Sequence, residues 1–414
     1  MNSFNDFNSA IRKIIPIDPP MTPMKLTRQP IVDQFWLTGL VGLFAGFLFG
    51  FMLWLWQQGI VDAPEDYFSV KFFHARIQIL LFTGSFLLGF ALQAGPHVIG
   101  GQPPDSKTIL SFLPILWIGT ALSLVDDPGL MFIGNLLISV AFAGPAVLLF
   151  KITLFGQPHL RIPRGVPIAL AFFLLSVAPW LELDNPDTAL FVLWCGPVTA
   201  ILVAAQQLTN NVLGGRLLQG KWAVLFISSL YMAWLTTAMA AFMESASWSL
   251  SGFLWLTTLL IQVQGTGFLQ AALSYRFSSI QVTLLLAFIG LICAALMPLI
   301  MADLFLTDAA VHLLGVGVIT LLVLGVAARV AGFFSGKNIL PDRALTFLLL
   351  AWTILAAART LSPFGISSPA WTHGTLQLGF LLLIIWTIPM INRLIEIGQQ
   401  YKPEQSQEKQ TLFK

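Results

Sequence analysis

Windows of about 20 apolar residues recur from residue 35 to residue 392 of this chain. Each is long enough to cross the roughly 30 Å of hydrocarbon in a bilayer. No stretch is left over to build a soluble domain. Composition agrees: the chain is 57% hydrophobic and 10% charged, whereas a soluble domain carries about 25% charged residues. A net charge of +2 is too small to point to nucleic acid.

Apolar runs broken by Pro, Gly or charge give twelve spans. They lie near 35–58, 73–95, 108–125, 129–150, 166–181, 188–208, 222–243, 250–273, 280–301, 309–332, 344–361 and 369–392. The fifth is the shortest. Connection charge supports this count. With the N-terminus inside, the inner segments carry Lys107, then Lys151, Arg161 and Arg164, then Arg216, Lys221, Arg276, Lys337 and Arg343. The outer ones carry acids from Asp62 and Glu65 through Asp126, Asp184 and Glu244 to Asp303 and Asp308, with Lys71 their only cation. One mistaken span would scramble this alternation from that point on. The expectation is therefore an all-α, polytopic integral membrane protein of about twelve transmembrane helices, with both termini cytoplasmic.

Domain organisation follows. Residues 1–33 form a polar cytoplasmic leader without an apolar signal core; residues 34–394 form the helical domain, and residues 395–414 a polar cytoplasmic tail. Cys195 and Cys293 lie mid-helix with no CxxC or CxxCH, which argues against covalent c-type haem and against a cysteine-built metal centre.

The orientation places three histidines at one depth. His74 opens the second span, while His312 and His373 lie near the starts of the tenth and twelfth, all at the outer leaflet. Arg76 shares that level, and Arg359 reaches it at the end of the eleventh span. His97 and His159 fall on the cytoplasmic side. Imidazole is a common ligand of haem iron and copper, and a histidine inside a membrane is usually functional. The blander reading is that each imidazole, within a turn or so of the interface, bonds water or a carbonyl.

Other polar groups are milder. Gln262, Gln264, Thr266 and Gln270 lie on the eighth span, with Gly265 and Gly267 permitting close approach; Gln206, Gln207, Asn210 and Asn211 crowd the end of the sixth. Interhelical hydrogen bonding accounts for these, with a solute path as the alternative. No acid falls in mid-membrane, which weighs against a carboxylate proton relay. The second and tenth spans echo each other in "AGPHVIGGQPP" and "AGFFSGKNILP". Both run the same way, so any repeat is parallel.

At these residues the sequence resembles the NnrS family, twelve-helix haem- and copper-containing bacterial membrane proteins linked to nitric oxide stress. The family pattern W-H-A-H-E-M, followed by G-F-L-L-T-A-x-P-x-W-x-G, is matched by Phe73, His74 and Ala75, then by Gly89, Phe90, Leu92, Ala94, Pro96 and Gly100. The later H-x-x-x-x-G…R-x-x-x-G-H-T-G-R looks like His312, Gly317, Arg329, Ser335, Gly336 and Lys337, and the closing "WTHGTLQLGFLLLIIWTIPMINR" is similar to the family's last helix. Two departures stand out. Arg76 and Ile77 replace the second histidine and the glutamate of the first motif, and Phe334 replaces the later histidine.

The resemblance implies a haem-binding inner-membrane protein of the nitric oxide response, with a redox, sensing or sequestering role and a small gas ligand such as nitric oxide. A b-type haem is the expected cofactor. His74 and His312 form the better axial pair and His373 the substitute, with Arg76 or Arg359 on a propionate. Arg329, seventeen residues beyond His312 and about 25 Å along the axis, should not share that role. Three imidazoles suffice for one bis-His haem or one three-His copper, not both. The alternatives are a transporter with a polar path along the eighth span and a cofactor-free scaffold or assembly partner of a respiratory complex.

Overall fold

The computed structural model describes residues 31–400, apart from 58, 63–66, 100, 102–103, 158–160, 244–246, 275–276, 302–305 and 365–368. Among the described residues every regular element is helical. Twelve helices follow the spans read from the sequence: α1 Val32–Gln57, α2 Ser69–Pro96, α3 Ser106–Ser123, α4 Pro128–Phe155, α5 Pro163–Trp180, α6 Pro186–Leu213 and α7 Lys221–Phe242. Then come α8, made of Trp248–Thr266 and Phe268–Ser274, α9 Ser279–Ile300, α10 Thr307–Ser335, α11 Asp342–Leu361 and α12 Pro369–Gln400.

Eleven of these are long and apolar enough to cross a membrane unbroken, and α8 is bent by 57° at its break. The residue at the bend is Gly267, with φ +65°. A left-handed residue cannot continue a right-handed helix, and only glycine adopts it without a Cβ penalty. Gly267 therefore ends the first half of α8, a different job from the close approach expected of it. At the other margin, α12 continues through Arg393, paired with Glu396 at 2.6 Å, to Gln400. The helical domain thus runs past residue 394.

The packing repeats every four helices. Within residues 32–155, 163–274 and 279–400, the first helix packs on the second, the second on the third and the third on the fourth. Each unit's last helix packs on the next unit's first: α4 on α5, α8 on α9, and α12 back on α1. The ring is closed, and α2, α6 and α10 meet one another in its middle. The echo between α2 and α10 is thus one edge of a threefold pattern. Its third member, α6, is capped by Asn185, begins with Pro186 and carries no histidine that would reveal it.

All three central helices contain a π segment: Ile77–Thr83 in α2, Trp194–Val198 in α6, and Leu313–Thr320 with Val323–Ala327 in α10. Such widened turns release carbonyls from the i→i−4 ladder, and within a membrane those need other donors. Trp352 Nε1 donates to Val316 O at 2.9 Å and Trp386 Nε1 to Leu324 O at 3.0 Å, fastening α11 and α12 to α10. In α6, Thr199 Oγ1 reaches back to Trp194 O at 3.1 Å.

Close helix approach is set on α1, where Gly39, Gly42, Gly46 and Gly50 face α2. A Cβ at Gly42 would lie 2.6 Å from the backbone nitrogen of Phe82. Small residues at this spacing let two backbones touch.

Candidate functional site

A cavity of about 690 Å³ lies between α1, α2, α6, α10, α11 and α12. This is within the range of cofactor and ligand sites, roughly 300–1,000 Å³. Gln57, Lys71, Asp184, Asp308 and Arg359 line its polar end, Leu43, Phe47, Leu193, Trp352 and Leu355 its apolar walls, and Thr83 and Thr320 its deep end.

His74 and His312, from two of the three central helices, line this one cavity. Equal depth in the sequence reading here corresponds to a shared space. The two are held differently. His74 Nδ1 lies 2.8 Å from Gly46 O. A carbonyl only accepts, so Nδ1 carries the proton and, in the neutral ring, Nε2 keeps its lone pair. Among the described residues that Nε2 has no hydrogen-bond partner. The ring sits against Gly50, where a Cβ would come within 2.8 Å of Cε1. The glycines of α1 therefore supply both the acceptor that fixes the tautomer and the space for the ring.

His312 Nδ1 is 2.8 Å from Asp308 O, so it too is the protonated nitrogen. Its Nε2, however, is 3.0 Å from Arg359 Nη2, which can only donate. The lone pair a metal would take is already accepting a hydrogen bond. Asp308 balances this group, with its carboxylate 3.5 Å from Arg359 Nη2 and 3.4 Å from His312 Nδ1. Arg359 also donates to Ser362 Oγ at 3.1 Å. Asp308 and Lys71 enter the sequence reading only as loop charges; with no motif around them, nothing there places them at the site.

Arg76 does not line this cavity. It is 4% exposed and turns away toward α4 and α5. There it donates to Asn135 Oδ1 at 2.6 Å and to Pro179 O, with its guanidinium 4.1 Å from the centroid of Phe72. Burial of a guanidinium needs such partners, and here they join three helices. Arg164, read from the sequence as a connection charge, is 1% exposed and bonds Val98 O and Gln207 Oε1.

The remaining candidates divide. His373 lies on the first turns of α12, and its side chain is outside the described residues, as are those of His97 and His159. Among the described residues no three His, Cys, Asp or Glu side chains converge as a metal site. Gln262 is buried and donates to Leu202 O at 2.9 Å, whereas Gln264 and Gln270 are exposed. The glutamines of α8 therefore share no face along which a solute could pass. Arg329 is exposed, far along α10 from His312.

A haem needs an apolar slot, a ligand nitrogen and cations for its carboxylates. The cavity supplies apolar walls, the lone pair of His74, and Lys71 and Arg359 at the polar end, so the residues fit that group.

No curated protein matches this chain. A family model described as NnrS protein matches residues 33–397, from the second residue of α1 to the last turn of α12. This match takes in all three four-helix units and every side chain of the cavity. The chain belongs to the NnrS family, as a multi-pass membrane protein.

Proposed function

We propose that this is a membrane protein of the nitric oxide response that binds one b-type haem in the α1–α2–α10–α11 cavity and uses it to bind a small gas ligand. One observation carries the reading. His74 is fixed through Nδ1 on Gly46 O, with Nε2 unclaimed among the described residues, in a cavity of cofactor size. A backbone carbonyl behind a ligating imidazole sets its tautomer and strengthens it as a donor. When bound, the haem supplies an iron centre able to take a diatomic ligand.

The chain's own groups divide the remaining work. His74 would hold the iron through its Nε2. Arg359 keeps the Nε2 of His312 occupied, so His312 would not hold the iron while that bond stands, and a bound iron would keep room for a gas. Lys71 and Arg359 offer cations to the carboxylates. The cavity's polar end faces the outside of a bacterial inner membrane, following the cation pattern of the connections.

The test is an absorption spectrum of the purified protein, oxidised and reduced, with and without nitric oxide. The expected result is a Soret band of mainly high-spin form that shifts on adding the gas and disappears in His74→Ala. A protein with no Soret band, or a band that survives His74→Ala, refutes the reading.

A further inference from the structure

A second cavity, of about 90 Å³ and partly open at its margin, lies deeper between the same central helices. Its walls come mainly from α2, α6 and α10, including Phe90, Ala200, Ala204 and Val323. Among its described lining side chains only Trp36 and Thr83 carry polar atoms, and the Trp36 indole is already bonded to Phe86 O at 3.2 Å. A water molecule needs two to four polar partners, and this space offers one hydroxyl. It is thus large enough for several water-sized bodies and unsuited to water. Apolar cavities of this order stay dry and take up xenon.

The two cavities share a wall where the π segments of α2 and α10 touch. Thr83, the last residue of the α2 segment, lines both. On α10, Ile319 lines the small cavity and its neighbour Thr320 the large one. Thr83 lies nine residues along α2 from His74, about 13 Å at helical rise. The space offers no charge or hydrogen-bond pattern to a polar solute.

We propose that this axial cavity is a chamber for a small, uncharged, apolar gas molecule, connected through Thr83 to the larger cavity. Only the identity of the natural gas rests on the function proposed above; occupancy does not.

The test uses the full chain in nanodiscs under xenon, read by xenon-129 NMR saturation. Wild-type protein should show one saturable interior site. Ala204→Phe, which fills the chamber, should abolish it, and Ala200→Leu should weaken it several-fold if the larger substitution fails to fold. Leu225→Phe, on the exposed face of α7, should leave it unchanged. Nitric oxide should also bind several-fold more slowly to Ala204→Phe protein with an unaltered resting spectrum. A xenon site that persists in both filled variants, or no saturable site in wild-type protein, overturns the chamber. Saturable xenon binding by protein without a Soret band would refute the haem and leave the chamber standing.

Discussion

Gly50→Ala tests the preparation of His74 without touching the imidazole. The new methyl would stand 2.8 Å from Cε1, and ordinary contact begins near 3.4 Å, so the ring must retreat by about 0.6 Å. Its bond to Gly46 O, now 2.8 Å, would then stretch to about 3.4 Å, outside the useful range for N–H···O. Losing it costs about 1 kcal/mol. Alanine in place of a mid-helix glycine returns a similar amount, so the cofactor-free protein should keep its melting temperature within a few degrees. Haem affinity should not survive as well. Removing the group that orients a ligating histidine lowers metal affinity about 10- to 100-fold. The assay is haem titration of the apoprotein followed at the Soret band, with thermal denaturation alongside. Gly315→Ala is the control, because Gly315 lines the same cavity and a Cβ there meets nothing within 4 Å. Equal haem affinity in Gly50→Ala and wild type would refute the argument that Gly46 and Gly50 prepare His74.

Arg359→Ala should free Nε2 of His312 and move the spectrum from high-spin toward six-coordinate low-spin, with weaker binding of nitric oxide; an unchanged spin state would show that Arg359 does not hold His312 back. Arg76→Met should leave the spectrum alone and lower stability by about 2–4 kcal/mol, because Asn135 Oδ1 and Pro179 O are left buried and unpartnered. Denaturation of purified protein measures this, and a spectral change would place Arg76 in the site after all. Reporter fusions after Lys107, Arg216 and Lys337 should read cytoplasm and those near Asp126 and Asp184 outside; one reversed site breaks the orientation.

The twelve helices were legible because hydropathy reports burial in lipid directly, and length decides the rest. The geometry of the cavity was not. The π segments of α2, α6 and α10 have no sequence mark: "IQILLFT" and "LLGVGVIT" are good α-helix text, and their widened turns arise from three helices meeting at one axis. The latch on His312 needs Asp308 and Arg359 from two helices, and depth alone could not say that they touch. The glycines of α1 are a different case. Their spacing of three and four residues on one face was visible, and it marks where α2 presses close enough for His74 to reach a carbonyl of α1.

The same geometry bears on the two places where this chain departs from the family's motifs. Arg76 stands where the family has its second histidine, but it faces α4 and α5, on the far side of α2 from the cavity. A histidine at that position in this backbone would sit two residues from His74 and, at 100° per residue, about 200° around the helix. It could not share the His74 cavity. Phe334, in place of the later histidine, lies near the last turn of α10, 22 residues beyond His312 and roughly 33 Å along the axis, packed on Phe333. Both departures therefore fall outside the cavity. They leave His74, His312, Asp308 and Arg359 intact, and any role those two family histidines serve elsewhere is a separate one. In this chain the first position has become a brace between α2, α4 and α5, so the His74 cavity should function without it.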